Sequence, residues 1–279
     1  MTRYRSSGKR NNRRGDTALS FLYRTIPGRV CLKVAAAPVV SRVIGKLLDT
    51  PTSAVIIDPF VKRAGIDVNL YEKRPYKSYN DFFTRTLADG ARTIDKTPSH
   101  LISPCDGQLS VYDIERDSVF YIKNSPYSLS DLLRDEALAD EFSGGLCLIF
   151  RLRVEDYHRY IFFDDGKIEA TRYIKGILHT VRPVAFERYN VYKQNCREYS
   201  ILQTKNFGKA VQVEVGAMLV GKIVNRKNVS EFSRGEEKGH FEYGGSTIVL
   251  LLKSGAAEID DCIRESSRAG IETEVMLGQ

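Results

Sequence analysis

The period of the apolar pattern changes near residue 100, and this change constrains the fold more than any other feature of the chain. Before it, apolar residues recur at helical spacing, over 54 to 64 and in a short piece over 79 to 87. Beyond it the period is mostly two, clearest at Val211-Gln212-Val213-Glu214-Val215, with turn signals at Asp106-Gly107, Asp165-Gly166 and Phe207-Gly208. One helical insert, 129 to 139, separates two strand regions. The pattern predicts an α+β protein, with N-terminal helices followed by a mainly antiparallel body, a β sandwich or barrel-like sheet. A chain of 279 residues that is 42% hydrophobic, without internal repeats, can bury the core of one large domain.

One strand start in that body carries unusual chemistry. In Phe241-Glu242-Tyr243-Gly244-Gly245-Ser246-Thr247-Ile248-Val249 a hydroxyl follows two glycines and precedes a long apolar run. A bulge or tight turn entering a buried strand explains such a segment. A second reading is self-cleavage, because the glycines reach backbone angles barred to other residues and Gly245 presents an unobstructed carbonyl. Once a base removes the Ser246 proton, the peptide bond can shift to an ester. Elimination then leaves dehydroalanine, which hydrolyses to a pyruvoyl group. Two further segments can support that chemistry. Ser103-Pro104-Cys105-Asp106-Gly107 sets a carboxylate at the apex of a turn, where it can orient an imidazole or simply make the turn. Asp156-Tyr157-His158-Arg159 follows a strand-like run at 147 to 154 and puts His158 at a strand end, as a base or as a structural histidine. Histidines and cysteines show no paired ligand spacing, so no metal is expected.

Taken together, these segments resemble the phosphatidylserine decarboxylase family, in that family's order. The resemblance extends to Tyr79-Asn80-Asp81-Phe82-Phe83-Thr84-Arg85, His179-Thr180-Val181-Arg182-Pro183, Asn195-Cys196-Arg197, Phe207-Gly208, the glycine-bounded stretch 215 to 223, and Lys238-Gly239-His240-Phe241. It covers residues 55 to 253. It implies a sandwich similar to lipoyl-type and sugar-phosphotransferase carrier domains. It further implies a proenzyme cut between Gly245 and Ser246 into a β subunit, 1 to 245, and an α subunit, 246 to 279, which remain together as a heterodimer. Ser246 would become a covalent pyruvoyl group with no metal, and phosphatidylserine would lose carbon dioxide through a Schiff base to give phosphatidylethanolamine. Asp106 matches the family's charge-relay aspartate. Many members read Asp-Tyr-His-Arg-x-His, with the second histidine as the base, and here that position is Ile161. The base is then His158, in the matching motif, or His179 from a neighbouring strand. His158 is also the candidate acid that reprotonates the substrate carbon. Two alternatives stand beside this reading: a non-processing lipid-binding homologue, for which Ile161 speaks, and a pyruvoyl enzyme acting on a soluble amino acid.

Charge divides the chain. Residues 1 to 50 hold eleven Lys or Arg against Asp16 and Asp49, a local net charge of +9 within a total of +7, so residues 51 to 279 carry −2. The first fourteen residues read as disordered. The segment 18 to 48 reads as helix interrupted by Pro27-Gly28 and Pro38, with Val40, Val43, Ile44, Leu47 and Leu48 in one stripe. Residues 1 to 50 are thus expected to form a membrane-associating arm, 51 to 253 the catalytic domain, and 254 to 279 a short helix and tail. No apolar run approaches the roughly 20 residues that cross a bilayer, and no signal-peptide pattern is present. The expected partners are phosphatidylserine and an anionic membrane surface, with no nucleic acid, at the cytoplasmic side of a bacterial cell membrane. The alternative for the stripe is packing on the protein's own core. Five scattered cysteines argue for a reducing compartment, and Cys105 reads as a packing residue.

Overall fold

The computed structural model describes residues 21–25, 27–28, 31–32, 36–117, 119–122, 125–179, 191–217, 222–242 and 246–279. The basic arm at 1 to 14, the glycine pair at 244 and 245, residues 180 to 183 of the His179 motif and residues 218 to 221 of the glycine-bounded stretch lie outside the described residues.

Among the described residues the strand-rich half forms thirteen strands: β1 Gly107–Asp113, β2 Val119–Ile122, β3 Ser125–Ser128, β4 Leu146–Leu152, β5 Arg159–Ile161, β6 Gly166–Ile174, β7 Arg197–Thr204, β8 Gly208–Val215, β9 Lys222–Asn225, β10 Glu231–Phe232, β11 Glu237–Glu242, β12 Ser246–Leu252 and β13 Thr273–Val275. Eight of them make one antiparallel sheet in the order β10-β6-β7-β8-β12-β4-β1-β13. A three-stranded sheet, β5-β11-β9, and the hairpin β2-β3 complete the set. The large sheet is open, which corrects the barrel-like alternative and keeps the sandwich. Its edges, β10 with two residues and β13 with three, are too short to meet and close a cylinder.

β12 lies at the centre, paired with β4 on one side and β8 on the other, and all seven of its residues are buried. Its unbroken apolar run follows from that position, because both faces are covered. Ile248, Leu250 and Leu252 join Phe150, Tyr160, Phe162 and Phe241, so the small sheet packs on this face. Val249 and Leu251 join Ile149, Val213, Leu132 and Phe142, where the helices Leu129–Leu133 and Glu136–Asp140 lie over the other face. Each such side chain contributes about 1.5 to 3 kcal/mol on burial.

The N-terminal helices among the described residues include Pro38–Leu48, a 3-10 turn Pro51–Ile56, Ile57–Ala64 and Tyr79–Phe83. Proline opens the first, and Gly65 ends the third in the left-handed conformation at φ 68°. Asn80 Nδ2 donates to Asp49 Oδ1 at 2.8 Å and Tyr79 N to Ser53 Oγ at 2.9 Å, tying these helices together. In the predicted apolar stripe Val43 and Leu47 are exposed, whereas Val40, Ile44 and Leu48 are half-buried. The stripe is therefore shared between packing and an open face.

The segment 254 to 279 carries a strand as well as a short helix. After the helix Asp261–Arg268 the chain returns as β13, pairing Val275 with Gly107 and Thr273 with Leu109. Three residues are too few for a period-two signal to stand out in sequence.

Candidate active site

Ser246 is the first residue of β12, and the register around it aligns the other candidates. It pairs with Leu152 at the end of β4, and Gln108 of β1 pairs with Arg151. Asp106 and Gly107 thus stand two strands from Ser246, about 10 Å away at the usual strand spacing. On the other side Thr247 pairs with Val215, and Gly216 N donates to Cys196 O at 2.9 Å. One end of the sheet therefore carries Asp106, Ser246 and Gly216 in a row. Ser246 is fully buried, and neither its Oγ nor the Thr247 Oγ1 has a hydrogen-bond partner among the described residues. A buried hydroxyl without a partner costs about 1 to 3 kcal/mol and calls for an explanation.

His158 lies in the loop that leaves β4. Asp156 closes that loop: its carboxylate accepts from Arg153 N at 2.7 Å and from Arg153 Nη2 at 2.8 Å. Burial pushes the Asp156 carboxyl up, opposed by its bonds to Arg153. The chain then turns back so that Phe241 N donates to His158 O at 2.9 Å, which sets His158 beside β11, the strand leading to Ser246. The His158 ring is fully buried, 4.1 Å from the Phe83 ring centre. Its Nδ1 lies 2.8 Å from the Asp156 carbonyl oxygen. A carbonyl only accepts, so Nδ1 carries the proton and the neutral ring keeps its basic lone pair on Nε2.

His179 approaches the row from the other side. Asn195 clamps it, accepting from His179 N at 2.9 Å while Nδ2 donates to His179 O at 2.8 Å and to Gly216 O at 2.7 Å. Its Nδ1 is 3.3 Å from the Tyr23 hydroxyl, and burial lowers its pKa, which favours the neutral ring. The two remaining imidazoles differ from each other. His100 is exposed beside Asp95, whereas His240 is half-buried on β11 and pushed down to about 4 by burial and by Arg159 and Lys222.

Asp106 is nearly buried, and its carboxylate is held by two donors: Arg92 Nη2 to Oδ2 at 2.9 Å and the Leu277 backbone N–H to Oδ1 at 2.8 Å. Ile161, where a second motif histidine would stand, is buried and donates its N–H to Pro104 O at 2.9 Å, inside the turn that carries Asp106. That position meets the aspartate turn through its backbone and carries an apolar side chain. Cys105 is fully buried in the core, and burial together with Asp106 raises its thiol well above the ordinary range, in keeping with a packing role. Arg85, the last residue of the Tyr79 to Arg85 motif, is buried against the Tyr71 and Phe82 rings and donates through Nη2 to the carbonyls of Glu155 and Asp156. It braces the carbonyl that fixes the His158 tautomer.

Sequence reasoning quoted the Arg85 and Asn195 motifs without assigning them a role, and it missed Arg92. Leu277 left no signal at all, since it acts through a backbone N–H. Among the described residues there is no group of three His, Cys, Asp or Glu able to hold a metal ion.

A sequence profile of the phosphatidylserine decarboxylase family matches residues 79–279. The chain is 48% identical over 262 residues to phosphatidylserine decarboxylase proenzyme 2 of Clostridium acetobutylicum, covering 94% of this chain and 90% of the relative. It is 42% identical over 271 residues to the phosphatidylserine decarboxylase proenzyme of Ruminiclostridium cellulolyticum, covering 95% and 90%. It is 41% identical over 244 residues to that of Clostridium perfringens, covering 86% and 83%.

Proposed function

The chain belongs to the phosphatidylserine decarboxylase family, and on that premise we infer that Ser246 is the nucleophile of its self-cleavage and the precursor of a pyruvoyl group. It is a decarboxylase proenzyme, and its reaction converts phosphatidylserine to phosphatidylethanolamine. The observation that carries the Ser246 assignment is the buried hydroxyl at the head of the central strand, without a partner among the described residues, immediately after Gly244-Gly245 in sequence.

In this reading His158 Nε2 takes the Ser246 proton as Oγ attacks the Gly245 carbonyl carbon. The C–N bond breaks, the amine takes a proton, and an ester joins the two segments. Loss of the α proton of residue 246 expels the Gly245 carboxylate and leaves dehydroalanine, whose hydrolysis releases ammonia. The pyruvoyl group supplies a carbonyl next to a second carbonyl, an electron sink for the charge left when carbon dioxide departs. His158, beside β11, then supplies the proton to the substrate carbon. His179 is the alternative base, and Asp106 stabilises the charge that develops.

The subunits proposed here are 1 to 245 and 246 to 279. The second contributes β12 between β4 and β8 and β13 against β1, so strand pairing retains it after the cut. The membrane side of the proposal is peripheral association at the cytoplasmic face of a bacterial membrane. Exposed Val43 and Leu47 and the net charge of residues 1 to 50 support it, and no helix among the described residues is long and apolar enough to cross a membrane.

Intact mass of the purified protein under denaturing conditions tests the assignment. Two pieces are expected, 1 to 245 and a 34-residue fragment, 246 to 279, with a pyruvoyl-blocked amino terminus, and Ser246→Ala should give one uncleaved chain. A parent chain that stays whole after incubation with anionic vesicles would favour the non-processing lipid-binding reading, which Ile161 motivates. Assay on phosphatidylserine vesicles against free serine separates the lipid enzyme from one acting on a soluble amino acid.

A further inference from the structure

Asp106 precedes β1, so no rung of the β1-β4 ladder fixes its side chain. What fixes it comes from the far end of the chain. Ser103 N donates to Gln279 O at 2.7 Å, Gly278 N to Ser103 O at 2.9 Å and Asp95 N to Gly278 O at 2.9 Å, and Leu277 N reaches the carboxylate itself. The opposite oxygen is held by Arg92, a charge-assisted bond between two largely buried side chains. These two donors set the orientation of Asp106.

The strap has one demanding residue. Gly278 sits at φ +85°, where a β-branched side chain is strongly disfavoured, and a Cβ there would lie 2.5 Å from Ile94 Cδ1 and 3.3 Å from Thr93 O. Gly270, on the same segment at φ +70°, faces open space. The two glycines thus separate backbone strain from displacement of the strap.

We propose that Arg92 and the strap at 277 to 279 are the positioning groups that align Asp106 for self-cleavage. The proposal rests on the reading of Asp106 given above. The strap lies on the α-subunit side of the scissile bond and Asp106 on the β-subunit side. Self-cleavage then waits until β13 has docked on β1, when the sheet is complete and the small fragment can no longer be lost.

Full-length chains made by cell-free synthesis and stopped at intervals allow the rate of cutting to be read on a gel. Gly278→Val and Arg92→Gln should cleave about 10-fold to 100-fold more slowly than the parent, as displaced catalytic groups do. Gly270→Val should keep the parent rate, and Arg92→Lys should recover most of what Arg92→Gln loses. Gly278→Val cutting as fast as Gly270→Val, with Asp106→Asn blocked, would leave Asp106 standing and overturn the strap. Asp106→Asn cutting at the parent rate would overturn the reading of Asp106 and the proposal with it. If Gly278→Val fails to fold, the Arg92 pair decides: equal rates for Arg92→Gln and the parent overturn the proposal.

Discussion

His158 comes to the site with its tautomer already chosen, because the Asp156 carbonyl can only accept from Nδ1. The His179 Nδ1 instead meets the Tyr23 hydroxyl, a group that can donate or accept, and Asn195 holds its main chain. The two histidines are therefore expected to separate cleanly in mutants. His158→Ala should remain a single chain, whereas His179→Ala should still yield both fragments, as measured by intact mass. An uncleaved, folded His179→Ala protein would transfer the base role to that residue.

At the scale of elements, β11 is where the large and small sheets are locked together. Lys238 Nζ donates to both Glu214 carboxylate oxygens at 2.8 Å, and Asn225 bonds Glu214, Glu198 and the Tyr160 hydroxyl. The Lys238 and Glu214 side chains are 2% and 0% exposed, so neither charge has water to fall back on. Burial pushes the Glu214 carboxyl up, and Lys238 opposes that rise. Lys238→Met is expected to cost about 3 to 5 kcal/mol in urea unfolding, because it strands a buried carboxylate. Adding Glu214→Leu should restore most of the loss. The same strand makes folding sensitive to acid through His240, whose pKa falls from 6.5 unfolded to about 4 folded. Between those values the unfolded chain binds the extra proton, so stability declines as the pH drops from 6.5 towards 4. His240→Gln should flatten the fall in Tm over that window, and an unchanged slope would remove His240 as its source.

For the whole molecule, the open apolar face of the helix Pro38–Leu48 continues into the exposed Val55 and Ile56 of the next turn. These exposed side chains and the net charge of residues 1 to 50 support the proposed contact with an anionic lipid surface. A Val43→Glu/Leu47→Glu chain is expected to bind phosphatidylserine vesicles at least about 10-fold more weakly in co-sedimentation, with its sheet unaffected. Raising salt from about 0.05 M to about 0.5 M should weaken the parent as well, since screening shortens the reach of surface charge. Binding that ignores both changes would assign the face to packing rather than to lipid.

Local order determined much of this protein. The period change near residue 100, the run from Ser246 to Leu252 and the turn at Asp106 express propensities and burial patterns that a strand or turn carries in its own residues. The Asp-Tyr-His-Arg segment likewise announced its strand-end histidine. Contacts between distant segments were decided by the tertiary structure alone. Leu277 reaches Asp106 across 171 positions through a backbone N–H that every residue but proline possesses, so no side chain could mark it. Gly216 acquires its role from strand register, which depends on which strands become neighbours, whereas Arg92 and Asn195 act from outside the strands, where the fold brings them beside Asp106 and His179. Whether the sheet closes was also beyond the sequence, because closure turns on two edge strands too short to leave a periodic trace.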